Sequence, residues 1–142
     1  MNQDKIVYPL CGLALSSVLT TGCIIDVRDG RHPRPSDGSL TVEWTVSRRS
    51  SPRSCARFAG GAADFELLLY DEHNREVARE VAPCEDFGLT VDLPPGEYSG
   101  YATLVERRDD RPVTTTLPLE DLEIVSGAEL NLDIDFPANS FL

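Results

Sequence analysis

The chain has 142 residues, of which 24 are Asp or Glu and 13 are Lys or Arg, so its formal net charge is −11. This length suits a single domain, and a hydrophobic fraction of 41% is enough for a packed core. The strong acidity argues against a nucleic-acid partner, because phosphate contacts need clustered Lys and Arg. The first element in chain order is an uncharged apolar run over residues 6–19, which is too short to cross a membrane as a helix.

Residues 1–22 have the organisation of an export signal: Lys5 precedes the apolar run, and small residues follow it. The sequence LTTGC at residues 19–23 resembles the lipobox of bacterial lipoproteins. This resemblance implies that the signal is cut before Cys23 and that Cys23 receives a diacylglycerol, whose acyl chains anchor the protein in a membrane. Because Ile24 stands where an Asp would signal retention in the inner membrane, the resemblance favours the outer membrane. The alternative is an ordinary cleaved signal that leaves Cys23 as a plain thiol.

The remaining cysteines form an even pair. Cys11 would leave with the signal and Cys23 would carry the lipid, so Cys55 and Cys84 remain. In an exported protein such a pair predicts a disulfide, and closing a loop of about 30 residues would stabilise the fold by about 3–4 kcal/mol. Two buried thiols are the alternative, while zinc is disfavoured because no further ligands stand at a suitable spacing.

Residues 23–38 form the predicted tether between the anchor and a domain over residues 39–142. Pro33 and Pro35, together with Gly30 and Gly38, interrupt any regular element. We therefore expect a flexible spacer, in which His32 is solvated.

From residue 39 onward the apolar residues recur with a period of two, as Leu40, Val42, Trp44 and Val46 illustrate. The pattern predicts seven strands and no helix of ten or more residues. The predicted strands cover residues 40–46, 64–70, 75–82, 87–93, 98–106, 113–119 and 129–136. Seven short strands separated by turns predict an all-β fold, a single antiparallel β-sandwich. In the third strand, Val77 and Val81 share one face, opposite Glu76, Ala78 and Glu80.

The sequence LPPGEY at residues 93–98 resembles the corner of immunoglobulin-like and fibronectin III-like domains, and equally a loop of transthyretin-like domains. In such a corner the Tyr98 hydroxyl bonds back to the main chain a few residues upstream, and Trp44 is expected in the core. The lipobox, short spacer, paired cysteines, this motif and the Phe141–Leu142 ending together resemble small acidic lipoproteins of myxobacterial type. That resemblance implies an architecture and no chemistry.

We expect no enzymatic activity, cofactor or metal. Only two histidines occur, His32 in the tether and His73 in a turn, and no nucleophile or phosphate-loop motif is present. Three clusters of carboxylate side chains are interpreted as solvated rather than as calcium ligands. They are Asp109 with Asp110, Asp133 with Asp135, and Glu120, Asp121 and Glu123 in a predicted connection.

One segment carries the opposite charge. Arg48, Arg49, Arg53 and Arg57 occur with no acidic residue up to Ala63. The disulfide would bring this segment beside Glu85 and Asp86, which predicts local charge pairing. Alternatively the arginines form a loop that binds an anionic group, because Arg holds carboxylate and phosphate through two parallel hydrogen bonds.

These observations favour a lipid-anchored, non-catalytic binding or adhesion module of the cell envelope, with a protein or glycan partner. The alternatives are a structural or assembly subunit of an envelope complex, and a lipoprotein that binds a small ligand or calcium.

Overall fold

The computed structural model describes residues 36–59 and 61–142, so the predicted signal, Cys23 and most of the tether lie outside the described residues. The described residues form seven strands, one α-helix and two short 3-10 helices. The strands are β1 (Gly38–Val46), β2 (Ala63–Asp71), β3 (Glu76–Pro83), β4 (Gly88–Leu93), β5 (Gly96–Glu106), β6 (Leu117–Ile124) and β7 (Glu129–Phe136). Helix α1 covers Pro52–Ala59, and the 3-10 helices cover Cys84–Asp86 and Ala138–Ser140.

The strands lie in two packed sheets, of order β4-β1-β7 and β3-β2-β5-β6, which confirms the predicted seven-stranded β-sandwich. One pairing departs from the antiparallel expectation. β1 and β7 are parallel, from Ser39 opposite Glu129 to Val46 opposite Phe136. β7 reaches β1 by crossing from β6 in the other sheet, and this crossover leaves both strands running in the same direction.

The core lies between the two sheets and is centred on aromatic contacts. The inward residues of β1 are all buried, with Trp44 only 2% exposed. Trp44 stacks on Phe65 of the other sheet with ring centroids 3.9 Å apart and an interplanar angle of 5°, and Phe65 meets Phe136 edge-on at 6.3 Å. Burying one such large side chain contributes about 1.5–3 kcal/mol, so these contacts join the sheets.

The face of the third strand that carries Val77 and Val81 lies outward. Val77 and Val81 are 44% and 53% exposed, whereas Ala82 is buried at 7%. Val81 lies opposite Glu66 on the outer face of the sheet, and a bulge makes Val77 the additional residue, because Leu69 pairs with Ala78 and Tyr70 pairs with Glu76. The bulky residues of β2 fill the core, and the neighbouring inward positions of β3 hold Ala78, Glu80 and Ala82.

The sixth strand begins four residues later than predicted. Residues 113–116 do not belong to β6, because Val113 and Thr115 bond to the C-terminal residues Leu142 and Ser140. The predicted connection containing Glu120, Asp121 and Glu123 is instead part of β6. Its alternation is broken because Glu120 and Asp121 together oppose Ser99 of β5, so the buried residues follow the irregular spacing of Leu119, Leu122 and Ile124.

Helix α1 lies in the segment that was expected to be a loop. Pro52 is its first residue, a position at which the missing N–H of proline removes no helical hydrogen bond. The helix has only eight residues, which is too few for a sustained apolar period, and Ser54 and Cys55 are buried among those of its side chains that the structure describes.

Candidate functional site

The four arginines that stand out in the sequence lie together at the end of the sandwich where β1 finishes and β2 begins. We call this the arginine end. Arg48 and Arg49 lie in the connection after β1, and Arg53 and Arg57 lie on α1, four residues apart and hence on one side of the helix. All four are exposed.

The connection after β1 is tightly fixed to the sheet. Val46 and Arg49 exchange backbone hydrogen bonds at 3.0 and 3.2 Å, and Ser47 and Arg48 adopt positive φ angles of 53° and 61°. The Arg48 N–H donates to Oδ1 of Asp135 on β7 at 2.7 Å, and the same oxygen accepts a hydrogen bond from the Thr45 hydroxyl at 2.6 Å. The backbone that carries these two arginines is therefore held in one geometry.

A disulfide between Cys55 and Cys84 holds α1 against the sandwich, which confirms the predicted pairing. Both cysteines are buried, at 3% and 0% exposure. The Trp44 indole N–H donates to the Cys84 carbonyl at 2.9 Å, so the core tryptophan contacts the cross-linked segment directly. The helix that carries Arg53 and Arg57 is thus fixed covalently.

Glu85 forms an ion pair with an arginine outside the arginine segment, in the connection after β5. Glu85 pairs with Arg107, 3.1 Å away, and Arg107 also holds Asp64 at 2.6 Å. A hydrogen bond from its own backbone N–H, followed by Arg107, lowers the pKa of Glu85. Glu85 thus has a cationic partner, Arg107, that the sequence did not suggest.

Arginines of the sandwich fall into two sets. Arg75, Arg79, Arg107 and Arg111 each form ion pairs with carboxylates. By contrast, among the described residues no carboxylate lies within 4.0 Å of the guanidinium groups of Arg48, Arg49 or Arg53.

Arg108 belongs to the unpaired set and was not singled out from the sequence, because acidic residues follow it directly. It is exposed in the connection after β5. That strand ends at the arginine end, where Glu106 pairs with Ala63. Only the strand pairing, and not the sequence spacing, places Arg108 at the same end as the others.

A shallow depression of about 510 Å³ borders the arginine end on the side of β1 and β7. Ser50 of the arginine segment lines it, and four carboxylates face it: Glu43, Asp86, Asp133 and Asp135. An anionic ligand of the arginines would therefore have to approach over α1 and the connection after β5, away from these carboxylates.

The opposite end of the sandwich is acidic. A depression of about 610 Å³ there is lined by six carboxylates, those of Asp71, Glu72, Glu97, Glu120, Asp121 and Glu123. We call this the carboxylate end. Within residues 36–59 and 61–142, no group of His, Cys, Asp or Glu is arranged to hold a metal ion.

Tyr98 occupies the corner at the carboxylate end, and its hydroxyl donates to the Pro94 carbonyl at 2.8 Å. Burial, and then the negative charges of Asp71 and Asp37, raise the pKa of Tyr98, which keeps the hydroxyl as a donor. Asp71 is itself bound by Arg75, and this hydrogen bond is the main reason that the pKa of Asp71 falls to about 2. His73 is exposed in the turn, 3.6 Å from Glu72.

The chain was compared with known protein families, curated proteins and solved structures. Neither a protein family profile nor a curated protein matches the chain. A solved structure from Bacteroides thetaiotaomicron, of a DUF1812 protein provisionally described as polysaccharide-binding, is similar with a TM-score of 0.45 and 12% sequence identity. The similarity covers 69% of this chain and 46% of that one. In the described part of the chain, no helix has the length and apolar character needed to span a membrane.

Proposed function

We propose that this protein is a lipid-anchored binding module of the cell envelope whose arginine end holds an anionic polymer. The polymer would be a glycan that carries carboxylate, phosphate or sulfate groups. One observation carries the proposal: Arg48, Arg49, Arg53 and Arg108 have no carboxylate partner among the described residues, although the chain has far more acids than bases.

The chemistry of these side chains suits such a ligand. A guanidinium group can bind a carboxylate, phosphate or sulfate oxygen pair through two parallel hydrogen bonds. The backbone of Arg48 is fixed by Asp135 and the helix of Arg53 by the disulfide, so little backbone order would be lost on binding. A polymer suits several exposed cations on one surface better than a small anion does, because each cation can contact a separate group.

The six carboxylates of the carboxylate end do not oppose this binding at moderate salt. β2 runs from the arginine end to the carboxylate end over nine residues, which corresponds to about 27 Å. Charges farther apart than the Debye length of about 10 Å at 0.1 M salt are largely screened. A ligand at the arginine end would therefore respond to the nearby guanidinium groups and to the carboxylates of the adjoining depression, and little to the carboxylate end.

The binding proposal is tested with the purified full-length protein and three polymers: polygalacturonate, dextran sulfate and neutral dextran. The variant Arg49→Gln/Arg53→Gln is compared with Arg75→Gln/Arg79→Gln, which removes the same charge from paired arginines elsewhere. We expect the first variant to bind both anionic polymers at least tenfold more weakly, since a hydrogen bond to a charged group contributes about 1.5–3 kcal/mol.

The second variant should bind both anionic polymers with an affinity within twofold of the wild type, and neutral dextran should bind to none of the three proteins. Equal weakening in both double variants would mean that net charge alone governs binding and would overturn the proposal. Undiminished binding by Arg49→Gln/Arg53→Gln would do so as well.

The anchor is proposed from the resemblance of LTTGC to a lipobox, and it has its own test. Intact-protein mass spectrometry of the chain from its host membrane should find a mature N-terminus at Cys23 carrying a diacylglyceryl group. A bare Cys23 thiol, or a chain that retains Met1, would refute the anchor without affecting the arginine end.

A further inference from the structure

Within the part of the chain that the structure describes, β3 forms an edge of the four-stranded sheet to which no further strand is added. Six of its eight residues are exposed. One side of an edge strand presents backbone N–H and C=O groups without partners, and an additional strand can pair with them. The opposite margin of the sandwich differs, because the edge strands β6 and β7 lie against one another.

The outer face beside this edge is apolar. Five large apolar side chains are well exposed in the described chain, and three of them, Val77, Val81 and Tyr101, lie on this face. Tyr101 meets Tyr70 edge-on, with ring centroids 6.0 Å apart. Val77 and Val81 stand on the edge strand itself, so a strand added to β3 would bring its side chains directly against them.

The charges at this edge specify the partner further. Arg79 is neutralised by Glu66 at 2.9 Å and by Glu76 at 3.4 Å. Glu80 lies opposite the buried Leu67, so it is on the inward face between Ala78 and Ala82. Among the described residues Glu80 has no hydrogen-bond or ion-pair partner. A strand that pairs with β3 therefore places a side chain beside an uncompensated carboxylate.

This arrangement disfavours pairing of β3 with the same strand of a second copy. Antiparallel pairing centred on the strand would set Arg79 against Arg79, or Glu80 against Glu80, depending on the register. Like charges directly opposite each other destabilise a strand pair, and each chain also carries a net charge of −11. The charges at this edge therefore disfavour pairing of β3 with β3 of a second copy and favour pairing with a basic strand.

We propose that the free edge of β3 binds an extended segment of a partner protein in which apolar residues alternate with Lys or Arg. The apolar residues of the segment extend the row of Val77 and Val81 on the outer face. Its basic residues lie on the inward side, beside Glu80. Backbone hydrogen bonds hold the partner segment against β3, and the side chains on the two faces of β3 determine which sequences bind. This surface is separate from the arginine end, so either proposal can fail alone.

The test uses the purified full-length protein and three capped eight-residue peptides: alternating Val and Lys, alternating Val and Glu, and a block peptide of four Val followed by four Lys. Binding is measured by fluorescence anisotropy, and the contact is located by hydrogen–deuterium exchange. We expect the alternating Val–Lys peptide to bind at least tenfold more tightly than either other peptide and to slow exchange in β3.

Two variants decide the role of the edge. Glu80→Lys should weaken binding of the Val–Lys peptide at least tenfold and strengthen binding of the Val–Glu peptide. Asp92→Lys makes the same charge change on β4, at an edge of the other sheet, and should alter binding less than twofold. Equal weakening by both variants, slowed exchange in β4 rather than β3, or equal binding of the block peptide would each overturn the proposal.

Discussion

The two ends of the sandwich carry opposite charge and are built in different ways. The arginine end takes most of its charge from one continuous segment, residues 48–57. The carboxylate end collects its six acids from the β2–β3 turn, the start of β5 and the end of β6. A charge cluster that is continuous in sequence can be recognised before the fold is known, whereas one assembled from three elements requires the strand order.

The ends also differ in what fixes them. A disulfide and the Trp44–Cys84 hydrogen bond fix the arginine end to the core. Hydrogen bonds fix the carboxylate end: backbone bonds between Asp71 and Arg75 and from Asn74 to Asp71, and side-chain bonds from Tyr98 to Pro94 and from Arg75 to Asp71. Substitutions at the arginine end should therefore cost more stability than substitutions at the carboxylate end.

The largest effect is expected when the disulfide is removed. The variant Cys55→Ala/Cys84→Ala opens a loop with a sequence separation of 29 residues, and the chain-entropy relation predicts a loss of about 3–4 kcal/mol. Urea denaturation measures the free energy of unfolding, and hydrogen exchange measures the local effect. In the double variant, hydrogen exchange should accelerate more in α1 than in the β2–β3 turn. An equal acceleration at both ends would contradict the difference we infer.

A smaller effect is expected at the corner of the carboxylate end. Tyr98→Phe removes the hydroxyl that bonds to Pro94, and such a hydrogen bond contributes about 1 kcal/mol. Tyr101→Phe is the matched control, because its exposed hydroxyl has no partner among the described residues. If chemical denaturation gives the two variants the same stability, the Tyr98 corner does not stabilise this end.

The smallest effect concerns acid stability. Because the pKa of Asp71 is lowered to about 2 in the folded chain, its contribution to stability is complete above about pH 4. That contribution is lost as the pH falls from about 4 towards 2. Thermal unfolding midpoints of the wild type and Asp71→Asn should converge over this interval. The control Asp92→Asn should keep the wild-type dependence; a gap between wild type and Asp71→Asn that stays constant down to pH 2 would contradict this assignment.

Much of the fold could be predicted because the pattern was local. The alternation of Leu40, Val42 and Trp44 identifies the inward face of β1, and the cysteine count identifies the disulfide. The errors arose where a bulge interrupts that alternation. In β3 the extra residue Val77 moves Glu76 to the outer face, and in β6 Glu120 and Asp121 together oppose one residue of β5, so a strict period of two assigns the wrong face to Glu76 and the wrong bounds to β6.

The candidate site was only partly predictable, for a related reason. Arg48 to Arg57 are neighbours in sequence, and their segment is recognisable there. The pairing of Glu85 with Arg107 and the position of Arg108 depend on where β5 ends relative to β2. Sequence spacing contains no information on that relation, so the pairing of Glu85 with Arg107 could not be predicted.

The parallel contact between β1 and β7 has a consequence for how the chain is made. Ser39 pairs with Glu129. The smaller sheet is therefore complete only when the first and the last strand of the sandwich have paired. Until the last strand has left the ribosome, β1 has only β4 beside it, and Trp44 lacks the aromatic neighbourhood that Phe136 completes. Contacts between such distant segments slow folding, so the sandwich should remain incompletely folded until β7 has left the ribosome.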